Sequence, residues 1–275
     1  MPNTHHKIEF TAQPVLSKGT STPGVTRTVI QAQGLLDAFP ITASRKNEIL
    51  DVSMTLMKHL VACEEIRERL SVQVVAGRTA IDLGRISVER ERFLQLPGVM
   101  NLESEAEAFL HNAKLGLADV GRLVGTLHGQ RFNHKFQKIR SWLLTKYGQA
   151  DSLLALLTDE APWIERVINM RNVVEHPDDP AGPLIVKNFH TVHQEPLTIA
   201  SPAWALGTES PVDMTEDMER ISEQVLTLYE AVLVDGVIRS APNSPFTIVE
   251  IPEAERDPVM PIRFVPTVKG LPPSA

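Results

Sequence analysis

The chain has 275 residues, of which 43% are apolar and 5% aromatic, with 20 prolines, one cysteine and a formal net charge of −7. That length and apolar content suffice for a sizeable core and argue for one principal domain with irregular ends. The acidic sum excludes indiscriminate coating of nucleic acid, the lone Cys63 excludes an internal disulfide framework and a CxxC zinc site, and no apolar run approaches the ~18 residues of a membrane span.

The polar start MPNTHHKIEF lacks a signal-peptide core, so the expectation is a soluble, cytoplasmic protein with Cys63 as a buried structural thiol. Residues 1–40 read as an N-terminal arm with two strand-like pieces, Lys7 to Phe10 and Val25 to Ile30, separated by the turn-rich SKGTSTPG. His5 and His6 have no carboxylate or cysteine cluster beside them and are expected to face solvent.

A helical core is expected over residues 41–240. Ile49, Val52, Leu56, Leu60 and Cys63 mark a long amphipathic helix from Thr42 to Leu70, and a second is expected from about Val72 to Leu96, stopped by Pro97 and Gly98. Glu103, Glu105 and Glu107 charge the start of a third, with Phe109, Ala113, Leu117, Val120, Leu123 and Val124 along one side. A fourth, from about Phe132 to Tyr147, carries Phe136, Ile139 and Leu143 at core spacing.

Between Asp119 and Asp151 there is no acidic residue, whereas Arg122, Arg131, Lys135, Lys138, Arg140 and Lys146 fall there with His128 and His134. In a chain that is acidic overall, this stretch suits a phosphate backbone, and Arg131, Lys135, Lys138 and Arg140 are the candidate RNA contacts. The same charges also suit a plain solvated helix face.

The stretch DEAPWIERVINMRNVVEHPDD, Asp159 to Asp179, joins a strong helix pattern to an unusual polar group. Pro162 fits a first turn and Pro177 forbids easy continuation, so the helix is expected from Pro162 to Glu175. Trp163, Val167, Met170 and Val174 share a face, and Arg171 falls inside the apolar arc, where it needs a partner. One such partner is Glu175 at i,i+4, in the weaker orientation and contributing about 0.2 to 0.5 kcal/mol. The other reading groups Arg171, Asn172 and His176, with the imidazole exposed at the helix end.

That R-polar-x3-H string resembles the signature of the HEPN superfamily, which includes ribonucleases of toxin-antitoxin and other defence systems. The helical series from about Glu103 to His176 is similar to the bundle core of the family. In its HepT-like branch a Tyr stands two residues after the His, and here that position is Asp178. The resemblance implies a mainly α, up-down helical bundle that cuts single-stranded RNA without metal or cofactor. In it His176 is the general base or acid at the 2′-hydroxyl, Arg171 steadies the phosphorane charge and Asn172 orients one of them. It also implies a homodimer with the site at the interface, and an antitoxin protein as partner. A second pair, Arg122 and His128, fits a looser form of the motif. The non-enzymatic alternative is a helical oligomerisation or partner-binding module in which Arg171, Glu175 and His176 form a structural network.

Beyond Pro177, residues 180–212 read as a β-hairpin-like insertion, with His190 and His193 at loop or edge positions rather than as metal ligands. A last helix starts near Asp213 with Glu216 as capping partner and Ile221, Val225, Leu228 and Val232 inward. Residues 241–275 form an extended, Pro-rich tail with strand candidates at Phe246 to Ile251 and Ile262 to Val265. No Walker loop, HExxH, GxGxxG or GxSxG occurs, which disfavours P-loop NTP hydrolysis, zincin proteolysis and α/β-hydrolase chemistry.

Overall fold

The computed structural model describes residues 18–84, 87–89, 93–132, 135–176, 178–192 and 198–270. Over these the protein is mainly helical with a few short strands, in keeping with the helical periodicity. The strand expected at Lys7 to Phe10, together with His5, His6, His134, Pro177 and His193, lies outside the described residues. Among the described residues no helix is long and apolar enough to cross a membrane.

Pro23 opens α1 (Pro23–Val25), which passes through a π-helical turn, Thr26–Ile30, into α2 (Gln31–Ala38). This corrects the strand expected at Val25 to Ile30. The β-branched side chains there favour extended backbone, but the Thr28 hydroxyl donates to the Gly24 carbonyl at 2.5 Å, four residues back, and Val25 packs with Met57 and Val61. Tertiary burial outweighs local propensity.

Helix α3 (Ala43–Asp82) replaces the two helices expected at Thr42 to Leu70 and Val72 to Leu96. Nothing between Leu70 and Val72 breaks a helix, so α3 continues for about 60 Å and stops only before Gly84, whose φ of 68° suits a residue without Cβ. The rest of the expected second helix contains β1 (Ser87–Glu89) paired antiparallel with β2 (Phe93–Gln95). Helix α4 (Leu102–His128) follows, then α5 (Phe136–Tyr147), which begins four positions later than expected. Helix α6 (Ser152–Asp159) was not anticipated; the Asp151 carboxylate caps it by accepting from the Leu154 N–H at 2.9 Å. Helix α7 (Ala161–Glu175) has the expected bounds to within one residue.

The 180–212 stretch contains β3 (Leu184–Lys187), β4 (His190–Val192), β5 (Thr198–Ala200), β6 (Ala203–Leu206) and β7 (Val212–Asp213), giving an antiparallel sheet ordered β3-β6-β7 and a separate β4-β5 ladder. Asp213 caps α8 (Met214–Ser240), its carboxylate accepting from the N–H groups of Thr215 and Glu216 at 2.9 and 3.1 Å. The tail strands β8 (Phe246–Glu250) and β9 (Phe264–Val268) pair antiparallel, with Phe246 opposite Val268.

The core lies where α3, α4 and α8 pack together, with α7 against α4. Leu56, Leu110, Leu117, Leu123, Val225 and Leu233 are all buried there, each contributing about 1.5–3 kcal/mol by leaving water. Two polar networks lock the periphery to this core. Arg27 reaches Glu230 and Glu223 on α8, and Gln31 accepts from the backbone N–H groups of Arg263 and Phe264 at 2.7 and 2.8 Å, which fastens the C-terminal hairpin to α2. On the other side the buried Asp217 carboxylate accepts from the Trp204 indole at 2.6 Å and from Arg166 of α7 at 2.9 Å. Sheet, α7 and α8 meet at that one carboxylate.

Candidate functional site

The residues of α7 that are buried step by three, Ala161, Ile164, Val167, Met170 and Val173. At 100° per residue each step of three turns the buried face back by about 60°, so by its last turn the face has rotated away from Arg171. Arg171 therefore sits at the edge of the apolar face rather than inside it, with 16% of its side chain exposed. Its Nη2 lies 3.1 Å from Glu175 Oε1, the i,i+4 pair expected, while its Nε is buried without a hydrogen-bond partner among the described residues.

Lys114 of α4 is the residue that reading the sequence missed. Its ammonium donates to Asn172 Oδ1 at 2.8 Å and to Glu175 Oε2 at 3.2 Å. Lys114 stands beside Ala113 on the margin of the apolar face of α4, where a long side chain can reach across a helix pair, but nothing local to it points to α7. The Glu175 carboxyl is held below its ordinary range first by the hydrogen bond from Lys114, which outweighs the opposing effect of burial, with the charges of Lys114, Arg171 and His176 adding to the lowering. The carboxylate is thus held chiefly by Lys114, and its contact with Arg171 is a matter of charge alone.

His176 caps the C-terminus of α7, with φ −133° and ψ 89°. Its N–H donates to the Asn172 carbonyl at 2.7 Å and its own carbonyl accepts from the Asp179 N–H at 3.0 Å, so the backbone is fixed while the imidazole is exposed. The Asp179 carboxylate turns onto the Ala181 N–H at 2.9 Å. Asp178 is exposed. The structure therefore brings Arg171, Asn172, Glu175 and Lys114 together at one end of the α4–α7 pair, with His176 at the rim.

The four candidate RNA contacts divide. Arg131, Lys135 and Lys138 are exposed, whereas Arg140 donates to Glu165 of α7 at 3.2 Å and ties α5 to the helix that carries the motif. The second pair is not a site of the same kind. Arg122 is bound to Asp119 at 2.8 Å, and the His128 ring lies against Trp142 and Tyr147, its Nδ1 3.1 Å from the Tyr147 hydroxyl. Cys63 is buried, its thiol 3.7 Å from the Phe109 carbonyl, and burial pushes that thiol well up. His190 Nδ1 lies 2.9 Å from the Asn188 carbonyl. Among the described residues no group of three or more His, Cys, Asp or Glu is placed to hold a metal ion.

A scan against protein-family models gave no match, and searches of the curated proteins and of the solved structures gave none either.

The chemistry open to the site follows from its charges. Two cations, Lys114 and Arg171, converge on the Glu175 carboxylate, and the exposed His176 imidazole stands at the end of the same helix with Asp178 and Asp179 following it.

Proposed function

We propose that the protein is a HEPN-like ribonuclease that cuts single-stranded RNA without a metal ion, with Arg171, Asn172 and His176 as the site and Lys114 as its fourth member. The carrying observation is that Lys114 hydrogen-bonds Asn172 and Glu175 and so gathers Arg171, Asn172 and Glu175 beside an exposed His176. Glu175, Asp178 and Asp179 are the acidic neighbours that repel a phosphate backbone; Lys114 offsets the first, and the Asp179 carboxylate is turned onto the Ala181 N–H.

In this reading the strand supplies its own nucleophile. His176 takes the proton of the 2′-hydroxyl as O2′ bonds to phosphorus, and the P–O5′ bond breaks as the departing oxygen takes up a proton from water. The products are a 2′,3′-cyclic phosphate and a free 5′-hydroxyl. Arg171 steadies the charge on the pentacoordinate phosphorus, and Asn172, held by Lys114, orients the helix end. A second copy of the chain facing this edge of α7 completes a composite site, and a toxin-antitoxin or defence role follows from the family resemblance.

A second reading is favoured by the bridge itself. Arg171, Glu175, Lys114 and Asn172 join α4 to α7, which also suits a non-catalytic oligomerisation or partner-binding module. Incubating the purified protein with mixed RNA in chelator separates the two. Cleavage leaving 2′,3′-cyclic ends, abolished in a folded His176→Ala variant, supports the ribonuclease. Cleavage that His176→Ala leaves intact removes the site assignment, and no cleavage of any RNA by the parent leaves the module.

A further inference from the structure

A cavity of about 430 Å³ opens where the start of α3 meets the ends of α4, α5 and α8, a volume within the range of about 300–1,000 Å³ usual for small-ligand sites. Arg45, Lys146 and Arg239 line it together with Thr42, His128 and Tyr147, and no carboxylate does. In a chain with a formal charge of −7 this lining is unusual, and four other cavities on the molecule each include at least one glutamate.

The cations are not equally committed. Arg239 gives Nε and Nη2 to Asp235 at 2.6 and 2.8 Å, Nη1 to Asp151 at 2.7 Å, and Nη2 again to the Ser152 hydroxyl at 3.3 Å. Of the five N–H groups of a guanidinium, one on Nη1 remains, and the two aspartates are turned onto the arginine rather than into the cavity. Among the described residues neither Arg45 nor Lys146 forms an ion pair, Lys146 instead resting on the rings of Trp142 and Tyr147 at 4.6 and 4.9 Å. The first turn of α3 adds to this, since it has no acidic residue and Thr42 makes no side-chain cap to its amides. Burial pushes the His128 imidazole below its ordinary range, and its Nδ1 is already engaged with the Tyr147 hydroxyl at 3.1 Å, so it adds no charge to the wall.

We infer that this cavity binds the phosphate of a small phosphorylated molecule, a phosphate monoester whose dianion is held by Arg45 and Lys146 and steadied by Arg239. The site is separate from the Arg171 cluster. Lys114 and His128 are both on α4, and their separation of fourteen positions corresponds to about 21 Å along the helix axis. The inference does not depend on the ribonuclease reading.

Calorimetric titration of the full chain with inorganic phosphate, adenosine monophosphate and adenosine tests it. Saturable binding of either phosphate-bearing probe, with adenosine silent, is the expected result. Arg45→Gln with Lys146→Gln should weaken that binding by about tenfold or more, because it removes both cations that no carboxylate engages. Arg239 is left in place because it ties α8 to the cap of α6, and the denaturation midpoint of the double variant confirms that it is folded. Absence of binding by both phosphate-bearing probes up to roughly 10 mM, adenosine binding as well as its monophosphate, or an unchanged affinity in the double variant each overturns the inference.

Discussion

Arg27 and Glu230, 203 positions apart, form a two-pronged ion pair in the interior, Nε to Oε1 at 3.0 Å and Nη2 to Oε2 at 2.5 Å. Glu230 also accepts from Gln31 at 2.9 Å and from Arg263 at 3.0 Å. With 1% of the Glu230 side chain exposed and 7% of Arg27, removing Arg27 leaves the buried Glu230 charge to Arg263 alone, and removing Glu230 leaves the buried Arg27 charge to Glu223 alone. Arg27→Met alone should cost up to about 3 kcal/mol, below the full penalty of an unpaired buried charge because Arg263 stays on Glu230. The double change Arg27→Met with Glu230→Leu should cost less than the sum of the two single changes, since neither charge is then left without its partner. Urea denaturation of the three variants measures this, and strict additivity would contradict the coupling.

The Lys114 bridge predicts a change in titration. A carboxyl lowered in the folded state adds stability above the ordinary glutamate range and loses it as pH falls through the lowered value. Lys114→Met removes the leading cause of the lowering at Glu175, so the carboxyl should titrate closer to the ordinary range. Because Glu175 is substantially exposed, the accompanying loss of stability should be small. An acid titration followed by NMR at the Glu175 side chain checks this, and an unshifted curve would mean that Lys114 is not what holds it.

If RNA tracks the acid-free segment, its contacts are the exposed cations. Replacing Arg131, Lys135 and Lys138 together with Gln should flatten the slope of log affinity against log salt by roughly two units, since each phosphate contact contributes roughly 0.7 for single strands. Arg140→Gln should have a different effect, loosening α5 from α7 through the lost contact with Glu165. Filter binding across a salt series separates the two, and a triple variant with unchanged slope rules out this segment as the RNA path.

Two helical glycines should respond in opposite directions to alanine. A Cβ on Gly77 of α3 would stand 2.4 Å from the Phe189 ring, so Gly77→Ala forces that buried ring out of its seat. The expected loss is about 1–3 kcal/mol, reduced by up to about 1 kcal/mol of improved helix propensity. Gly34 of α2 has open space around it, and Gly34→Ala should stabilise by about 0.4–1 kcal/mol. Thermal melts decide, and a stabilised Gly77→Ala would show that Phe189 is not seated there.

The helices that hold the core were readable because their apolar residues repeat at helical spacing, as at Ile49, Val52, Leu56 and Leu60 of α3, and because Asp213 and Pro162 mark where α8 and α7 begin. The break between Leu70 and Val72 was misread because charge patterning such as EEIRER changes a helix surface without changing its backbone. Val25 to Ile30 misled for a different reason, since β-branched residues carry a strand preference that burial against Met57 and Val61 overrides. At the candidate site, the pairing of Arg171 with Glu175 follows from i,i+4 spacing alone, whereas Lys114 comes from a helix 58 positions away and no local pattern points to it.

The clasp of Gln31 on the backbone of Phe264 spans 233 positions, and this separation has a consequence for the order of assembly. At a synthesis rate of about 5–20 residues per second, α2 waits on the order of ten seconds or more after it is made before the hairpin it grips exists. For most of that interval Arg27 has no Glu230 to meet, and throughout it the apolar face of α2 is without its final cover. The bundle of α3 and α4 can gather early, but the seam between the first helices and the last strands closes late, which makes it the part of the molecule most open to capture by a chaperone or a protease during synthesis.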